Sequence, residues 1–245
     1  RRIPFFPNAS LSMNKGYLYI FIAVSFWAIS SGVLIKFIDL NPFAFYSIAS
    51  FWAIVFLVIN LLVKKEHKKL FQNSKKTILL MLLLGLGIAI NNGLFFSAIK
   101  VGSVANATLS HYLAPIILAF VFAPIILKEK ITVKIAFFSL LGFFGILVLS
   151  IPNLNSSLDL ALVLGVLSSI FYALHTSLEK KITQIRVDPV IAVIYKNLVP
   201  FIIFSPFALK SIHQGISINN FLFLVLWGIV VGGASMIIYF KGIKQ

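Results

Sequence analysis

Residues 77–99 read TILLMLLLGLGIAINNGLFFSAI and contain no charged side chain. A helix needs roughly 20 apolar residues to cross about 30 Å of hydrocarbon, so this stretch is long enough to span a bilayer. Seven more apolar runs of similar length lie on either side of it. The predicted spans, numbered 1 to 8 along the chain, cover 17–37, 43–63, 77–99, 102–127, 131–151, 159–178, 190–209 and 219–240.

The composition excludes a soluble fold. Hydrophobic residues make up 60% of the 245 residues and charged residues only 11%, against about 25% charged in an average soluble domain. A single core could not absorb so much apolar surface, and so few charges could not cover the outside. The 25 Phe also argue against disorder or a coiled coil. The sequence therefore predicts an all-α polytopic membrane protein with the lipid bilayer as its solvent.

The formal net charge of +15 predicts topology rather than nucleic-acid binding, because the basic residues lie between apolar runs and not on a soluble body. If the N-terminus is cytoplasmic, 17 of the 21 basic residues fall on the cytoplasmic side. Only Lys36, Lys100 and Lys210 fall outside, with Lys196 within span 7. This bias predicts a multi-pass protein of the plasma (inner) membrane with a cytoplasmic N-terminus. The sequence does not indicate an oligomeric state.

The absence of cysteine excludes disulfides and thiolate metal sites. No cofactor and no metal site are predicted from the remaining residue types, so the expected partners are a small-molecule substrate and lipid.

Three sequence blocks recur in the same order about 145 residues further along the chain. Such collinear matches indicate an internal repeat. The first unit holds five spans, an odd number, so the second unit must enter the membrane from the opposite side. Inverted repeats of this kind are typical of secondary transporters. The matching blocks are FWAISS (26–31) with FYALHT (171–176), Asn41-Pro42 with Asp188-Pro189, and FFSAIK (95–100) with YFKGIK (239–244).

The repeat also predicts the domain organisation. Residues 1–14 form a cytoplasmic segment, 15–152 the first unit of five spans, and 158–245 a second unit with only three spans. By symmetry, about 50 further residues carrying spans 9 and 10 are expected beyond Gln245. The chain is therefore predicted to be a ten-helix protein truncated after span 8.

This pattern resembles the drug/metabolite transporter superfamily, specifically its EamA-type members. The resemblance implies ten helices in two repeats around a central cavity, built mainly from helices one, three, four, six, eight and nine and alternately open to each side. It also implies amino acids, sugars or related small metabolites as substrates. Family members often carry a basic residue in helix two, where this chain has Ala49-Ser50-Phe51. The residues that carry the resemblance are Phe26, Trp27, Ser30, Lys36, the segment AIKVGSVANA (98–107), Pro115, KEK (128–130), Leu141, Gly142 and Gly145.

Span 6 carries a polar stripe. Ser168, Tyr172, His175, Thr176 and Glu179 are spaced so that they share one helical face. Polar groups are costly in lipid, so this face is expected to line the bundle interior or a wet cavity. Plain hydrogen bonding between helices is the alternative.

Span 4 is expected to be interrupted. Pro115 has no N–H, so the carbonyl of His111 loses its usual helical partner. Asn106 and Ser110 share a stripe here, with His111 and Tyr112 beside them. The interruption predicts a polar pocket, and a bend that serves only packing is the alternative.

The other spans add further candidates. Span 3 contributes two adjacent amides, Asn91 and Asn92, either as substrate ligands or as a clamp between helices. In span 8, Gly232-Gly233 is interpreted as a packing contact, and Ser235 and Tyr239 share a polar face beside it. The predicted cavity residues are Trp27, Ser30, Asn91, Asn92, Asn106, Ser110, His111, Tyr112, Tyr172, His175, Thr176, Ser235 and Tyr239.

Lys196 lies seven residues beyond Pro189, or about 10 Å along a helix. Its head group either reaches back to the cytoplasmic interface or serves inside the bundle as a charge partner for the substrate. All six acidic residues are assigned to span ends or loops, so no carboxylate is expected at depth. That assignment argues against a carboxylate proton relay and leaves His111 or His175 as titrating groups, or no coupling.

The leading hypothesis is a secondary transporter that exports a small metabolite, such as an amino acid, by alternating access. A flippase for a lipid-linked sugar or another amphiphile is the alternative within the same membrane class. A membrane-embedded enzyme would need converging acids, histidines or a nucleophile. Only His111 and His175 are expected at depth, without an acid beside them, so the chain is predicted not to be an enzyme.

Overall fold

The protein is helical over the residues that the computed structural model describes, which are 15–30, 35–150 and 160–244. Apolar runs form helices because a helix satisfies its backbone N–H and C=O groups internally, as lipid requires. The α-helices are α1 (Lys15–Trp27), α2 (Ile35–Phe37), α3 (Pro42–Val63), α4 (Lys75–Val101), α5 (Val104–His111), α6 (Ala114–Ile117), α7 (Val133–Ser150), α8 (Leu160–Gln184), α9 (Pro189–Ile203), α10 (Ser205–Gln214), α11 (Ile218–Trp227) and α12 (Ser235–Lys244). Shorter 3₁₀ or π elements cover His67–Phe71, Leu118–Leu127 and Gly228–Ala234.

The helix lengths confirm an all-α polytopic membrane fold. Within the described residues, five helices are long and apolar enough to cross a membrane, or six if α9 and α10 form one bent span. For the two remaining predicted spans, the described apolar helix Lys15–Ser30 overlaps span 1, and Val133–Gly145 lies within span 5. The predicted cytoplasmic segment 1–14, residues 31–34 of span 1, residue 151 of span 5 and residue 159 of span 6 lie outside the described residues.

Span 7 is bent, which the sequence analysis did not predict. The axes of α9 and α10 meet at 62°. Pro206 has no N–H and therefore cannot bond the carbonyl of Ile202, four residues earlier. The Ser205 hydroxyl donates to that carbonyl instead, at 2.8 Å. The bend is thus a proline break whose freed carbonyl is satisfied by the neighbouring side chain.

The predicted interruption at Pro115 is confirmed. Helix α5 ends at His111 and α6 begins at Ala114, with Pro115 in its first turn. Between them, the Leu113 N–H bonds the carbonyl of Ser110 in a tighter turn. The regular helical hydrogen bonding is interrupted where the proline removes a donor, as expected.

Long helices pack in pairs across the bundle. Helix α4 packs on α8 and α9, α3 packs on α9 and on Gly228–Ala234, and α1 packs on α12. Gly85 permits the close approach of α4 to α9, because a Cβ at this position would lie 2.7 Å from the backbone oxygen of Lys196. These contacts surround the centre of the molecule.

Polar contacts join the loops at the two ends of α4, which has 27 residues and is therefore about 40 Å long. Before its first residue, Lys69 Nζ lies 3.4 Å from Asp188 Oδ2. Beyond its last residue, Lys36 Nζ donates to the carbonyl of Gly102 at 2.8 Å. Lys69 belongs to the predicted cytoplasmic set of basic residues and Lys36 to the predicted outer set. These two lysines thus lie at opposite ends of α4, and which end faces the cytoplasm stays a prediction.

Candidate functional site

A cavity of about 270 Å³ lies at the centre of the bundle. This volume is close to the lower end of small-molecule pockets, which hold about 300–1,000 Å³. Helices from both halves of the chain contribute to its wall. The polar and aromatic lining residues are Trp27, Tyr46, Asn91, Asn92, Phe95, Phe96, Thr108, His111, Tyr112, Tyr172, His175, Glu179, Lys196, Asn197 and Trp227.

The structure brings many of the predicted site residues to this one cavity and leaves others out. Their role in substrate binding stays a prediction in both cases. Those in the wall are Trp27, Asn91, Asn92, His111, Tyr112, Tyr172, His175 and Lys196. Those outside the lining are Ser30, Asn106, Ser110, Thr176, Ser235 and Tyr239.

Two of the excluded serines are occupied within their own helices. The Ser30 hydroxyl donates to the carbonyl of Phe26 at 2.6 Å. The Ser110 hydroxyl donates to the carbonyl of Asn106 at 2.7 Å. Serine commonly makes such bonds to the preceding turn of a helix, and each of these hydroxyls thereby uses its only donor hydrogen.

Ser235 and Tyr239 support the wall from behind. The indole N–H of Trp27 donates to the Ser235 hydroxyl at 2.8 Å. The ring of Tyr239 lies 4.8 Å from that of Trp27, centroid to centroid. These contacts fix the position of the Trp27 side chain, so α12 positions a wall residue that belongs to α1.

A buried pair of opposite charges lies in the wall. Glu179 and Lys196 are each 1% exposed, and Lys196 Nζ is 3.7 Å from Glu179 Oε1. On the other side of the carboxylate, His175 Nδ1 lies 3.8 Å from Glu179 Oε2. The cavity therefore carries one acidic and one basic side chain close together, with an imidazole beside the acid.

Glu179 corrects the sequence analysis, whereas Lys196 distinguishes between the two alternatives given for it. Glu179 was assigned to a span end, but its side chain is buried in the cavity wall. Helix α8 continues to Gln184, beyond the predicted end at 178, so Glu179 stays on the inward face of the helix. The Lys196 head group does not reach an interface: it stays buried, near Glu179 and 2.7 Å from Met236 Sδ.

The polar atoms of the cavity are loosely bonded. The contacts of Glu179 with Lys196 and His175 exceed the 2.7–3.2 Å of a normal N–H···O bond. Among the described residues, Glu179 Oε1, both ring nitrogens of His175, Asn91 Oδ1 and Trp227 Nε1 have no hydrogen-bond partner. Most buried polar groups in proteins have one. These donors and acceptors are unsatisfied but their surfaces are buried, so a molecule in the cavity reaches them only if the side chains turn toward it.

A column of rings connects the interrupted helix to the charged pair. The ring of His111 lies 4.8 Å from Tyr172, and Tyr172 lies 4.9 Å from His175. His111 Nδ1 and the Ser168 hydroxyl are 2.8 Å apart, which holds the His111 ring in place. The cavity thus combines aromatic walls with one charge of each sign.

In the described part of the chain, no group of three His, Asp or Glu residues could hold a metal ion.

Sequence reasoning missed several wall residues besides Glu179. Tyr46 of α3 and Trp227 of α11 line the cavity, and each is one of several aromatic residues in its apolar helix. Nothing in the sequence separates such residues from ordinary packing. Asn197 was detectable, because an amide next to Lys196 in an apolar span is unusual; its side chain donates to the carbonyl of Gly232 at 3.2 Å.

Comparisons with known proteins concern both sequence and fold. The sequence profile of the EamA-like transporter family matches residues 14–151. A solved protein structure with 17% sequence identity superposes on 94% of this chain, and on 79% of its own, with a TM-score of 0.67. This likeness shows a shared fold. A search of curated proteins gave no significant match.

Proposed function

Since the chain belongs to the EamA-like transporter family, we propose that its central cavity is the substrate site of a secondary transporter. The protein exports small polar metabolites, such as amino acids, across the plasma membrane by alternating access. Its N-terminus faces the cytoplasm, in keeping with the bias of basic residues.

The observation that carries this function is the chemistry of the cavity wall. Glu179 and Lys196 present opposite charges, and Asn91 and Trp227 present an acceptor and a donor without partners among the described residues. A small molecule with an amino group, a carboxylate and an apolar part complements all of these groups. Small-molecule sites typically combine apolar walls with a few placed polar groups in this way.

The helix contacts support two inverted units. If spans 1 to 3 correspond to spans 6 to 8, the contact of α1 with α12 corresponds to that of α8 with α4. The contact of α4 with α9 likewise corresponds to that of Gly228–Ala234 with α3. Both members of each pair are present. Such pseudo-symmetry is the basis of alternating access in repeat-built transporters, where one unit rocks against the other around a fixed site.

The test is transport by the purified protein in proteoliposomes, with radiolabelled amino acids, nucleosides and sugars as candidate substrates. Accumulation or counterflow of one class is expected. Asn91→Ala should reduce it, whereas Asn219→Ala, on the exposed surface, should not. No flux of any candidate by correctly inserted protein would contradict the proposal. Movement of a polyprenyl-phosphate sugar between leaflets, without flux of soluble substrates, would favour the flippase.

A further inference from the structure

We propose that the cavity keeps a net charge of zero as substrate binds, by taking up one proton on Glu179 or releasing one proton from Lys196. When an anionic substrate group pairs with Lys196, Glu179 takes up a proton, so that one proton accompanies each monoanion. This inference rests on the proposed function, because it assigns a coupling rule to the same cavity.

The geometry shows a carboxylate that is paired but not fixed. Glu179 is 1% exposed and is 3.7 Å from Lys196 Nζ. Its Oε1 has no hydrogen-bond partner among the described residues. A permanently ionised buried carboxylate is normally held by several short hydrogen bonds. Glu179 lies near the charge of Lys196 but lacks those short hydrogen bonds. The protonation state of its carboxylate therefore depends on the Lys196 ammonium.

The charge balance follows from the cost of an unpaired buried ion. Breaking a buried ion pair by removing one partner leaves an uncompensated charge in a low-dielectric site, and the group changes protonation instead. A substrate carboxylate that takes the ammonium of Lys196 removes the partner of Glu179. Three charges would then share the cavity, two of them negative, unless Glu179 becomes neutral.

The proton is assigned to Glu179 and not to His175. Placing it on His175 would leave a charged imidazole and a carboxylate 3.8 Å apart, both without close hydrogen bonds. Protonated Glu179 beside neutral His175 buries no charge at all. The phenols are neutral at physiological pH. The titratable groups around Glu179 are Tyr172 and His175 on its own helix, Lys196 of α9, His111 of α5, Tyr46 of α3 and Tyr239 of α12.

The step is a protonation with no redox chemistry. A proton from water forms an O–H bond on a carboxylate oxygen of Glu179, while the ammonium of Lys196 pairs with the substrate carboxylate. The rule depends on substrate charge. A monoanion brings one proton in, a zwitterion that pairs with both residues brings none, and a monocation that pairs with Glu179 releases one proton from Lys196.

The first test needs no ligand. Infrared spectroscopy detects the carbonyl band of a protonated carboxyl group. Lys196→Met removes the charge partner, so this band is expected at neutral pH in that variant and not in the wild type. It should disappear in the double variant Lys196→Met/Glu179→Gln and persist in Lys196→Met/His175→Asn. A Lys196→Met protein without the band would overturn the rule.

The second test counts protons with three probes that share one aromatic skeleton: 3-phenylpropanoate, phenylalanine and phenethylamine. Calorimetry in buffers of different ionisation enthalpy gives the number of protons exchanged on binding. The expected numbers are one taken up, none, and one released. In Glu179→Gln, 3-phenylpropanoate should bind without proton uptake.

The outcomes separate the coupling rule from the proposed function. Binding of 3-phenylpropanoate to the wild type without proton uptake would overturn the rule alone and leave the cavity as the substrate site. If none of the probes binds, the rule is overturned, and the transport assay alone decides whether the cavity is the substrate site. The infrared band of protonated Glu179 in Lys196→Met would then show only that Glu179 and Lys196 are electrostatically linked.

Discussion

Lys36 and Lys196 differ in how well their ammonium groups are bonded, and this difference separates a structural lysine from one available to a substrate. The surface residue Lys36 donates to the carbonyls of Ile99 and Gly102 at 2.9 and 2.8 Å. Lys196 is buried, yet its nearest carboxylate oxygen is 3.7 Å away and its hydrogen bond goes to a thioether. The more buried cation has the poorer partners. A lysine fixed to backbone carbonyls holds two helices together, whereas a loosely paired one can exchange its partner for a substrate.

The largest expected effect comes from removing the loosely paired lysine. Lys196→Met should weaken binding of 3-phenylpropanoate roughly 10- to 100-fold, because a hydrogen bond to a charged group contributes about 1.5–3 kcal/mol. Calorimetric titration measures this change. Lys36→Met is the matched control, since Lys36 lies outside the cavity wall. The affinity of this variant for 3-phenylpropanoate should equal that of the wild type. Equal affinities for both variants would remove Lys196 from the substrate site.

The backbone at Lys196 is tightly packed against α4, although the ammonium group of this lysine is loosely paired. A Cβ at Gly85 would lie 2.7 Å from the Lys196 carbonyl oxygen and from Val199. Gly85→Ala should therefore destabilise the protein by about 1–3 kcal/mol through overpacking. Gly142→Ala is the control, because nothing in the described structure lies within 4 Å of its added carbon. Thermal unfolding of the two variants tests the difference, and an unchanged Gly85→Ala midpoint would contradict it.

Removing the well-bonded lysine should affect stability and not binding. Lys36→Met loses hydrogen bonds to the end of α4, worth about 1 kcal/mol because water can replace them at this exposed position. A lower unfolding midpoint with unchanged ligand affinity is expected. Loss of affinity without loss of stability would mean that the two lysines have been assigned the wrong roles.

The smallest effect is expected at a third lysine, at the opposite end of α4. The carboxylate of Glu66 accepts a hydrogen bond from Lys69 and raises the pKa of that lysine, with Asp188 adding to the effect. Since the pKa is higher in the folded state, the stabilisation is present at neutral pH and is lost as the pH rises through the folded-state pKa. Lys69→Met should lower the unfolding midpoint slightly at low salt, and high salt should abolish the difference.

The control for Lys69 is its neighbour Lys68, which forms no ion pair in the described part of the chain. Lys68→Met should leave the midpoint unchanged at any salt concentration. If both variants lower it equally, general charge density and not the specific pairs would be the cause.

The candidate site was predictable in part, and the errors have a physical cause. The stripe of Tyr172 and His175 was found because helical spacing places these residues on one face, and the structure brings both to the cavity. Glu179 lies on the same stripe, but hydrophobicity alone ended the span at residue 178. A buried partner lets a helix keep a charged residue inside the bundle, and that partner, Lys196, belongs to another helix.

Local preferences of the chain determined the class of fold. Long runs of apolar side chains must leave water, and in lipid they must form helices, wherever the helices then pack. The break at Pro115 is equally local, because a missing N–H acts on its own helix.

Tertiary structure alone decided which polar residues meet. Ser235 supports Trp27 across a sequence separation of 208 residues, and Glu179 faces Lys196 from a neighbouring helix. The rotation of each helix about its axis and the distance between axes set these contacts. Both depend on side-chain packing over the whole bundle, for example at Gly85, and no single span contains that information.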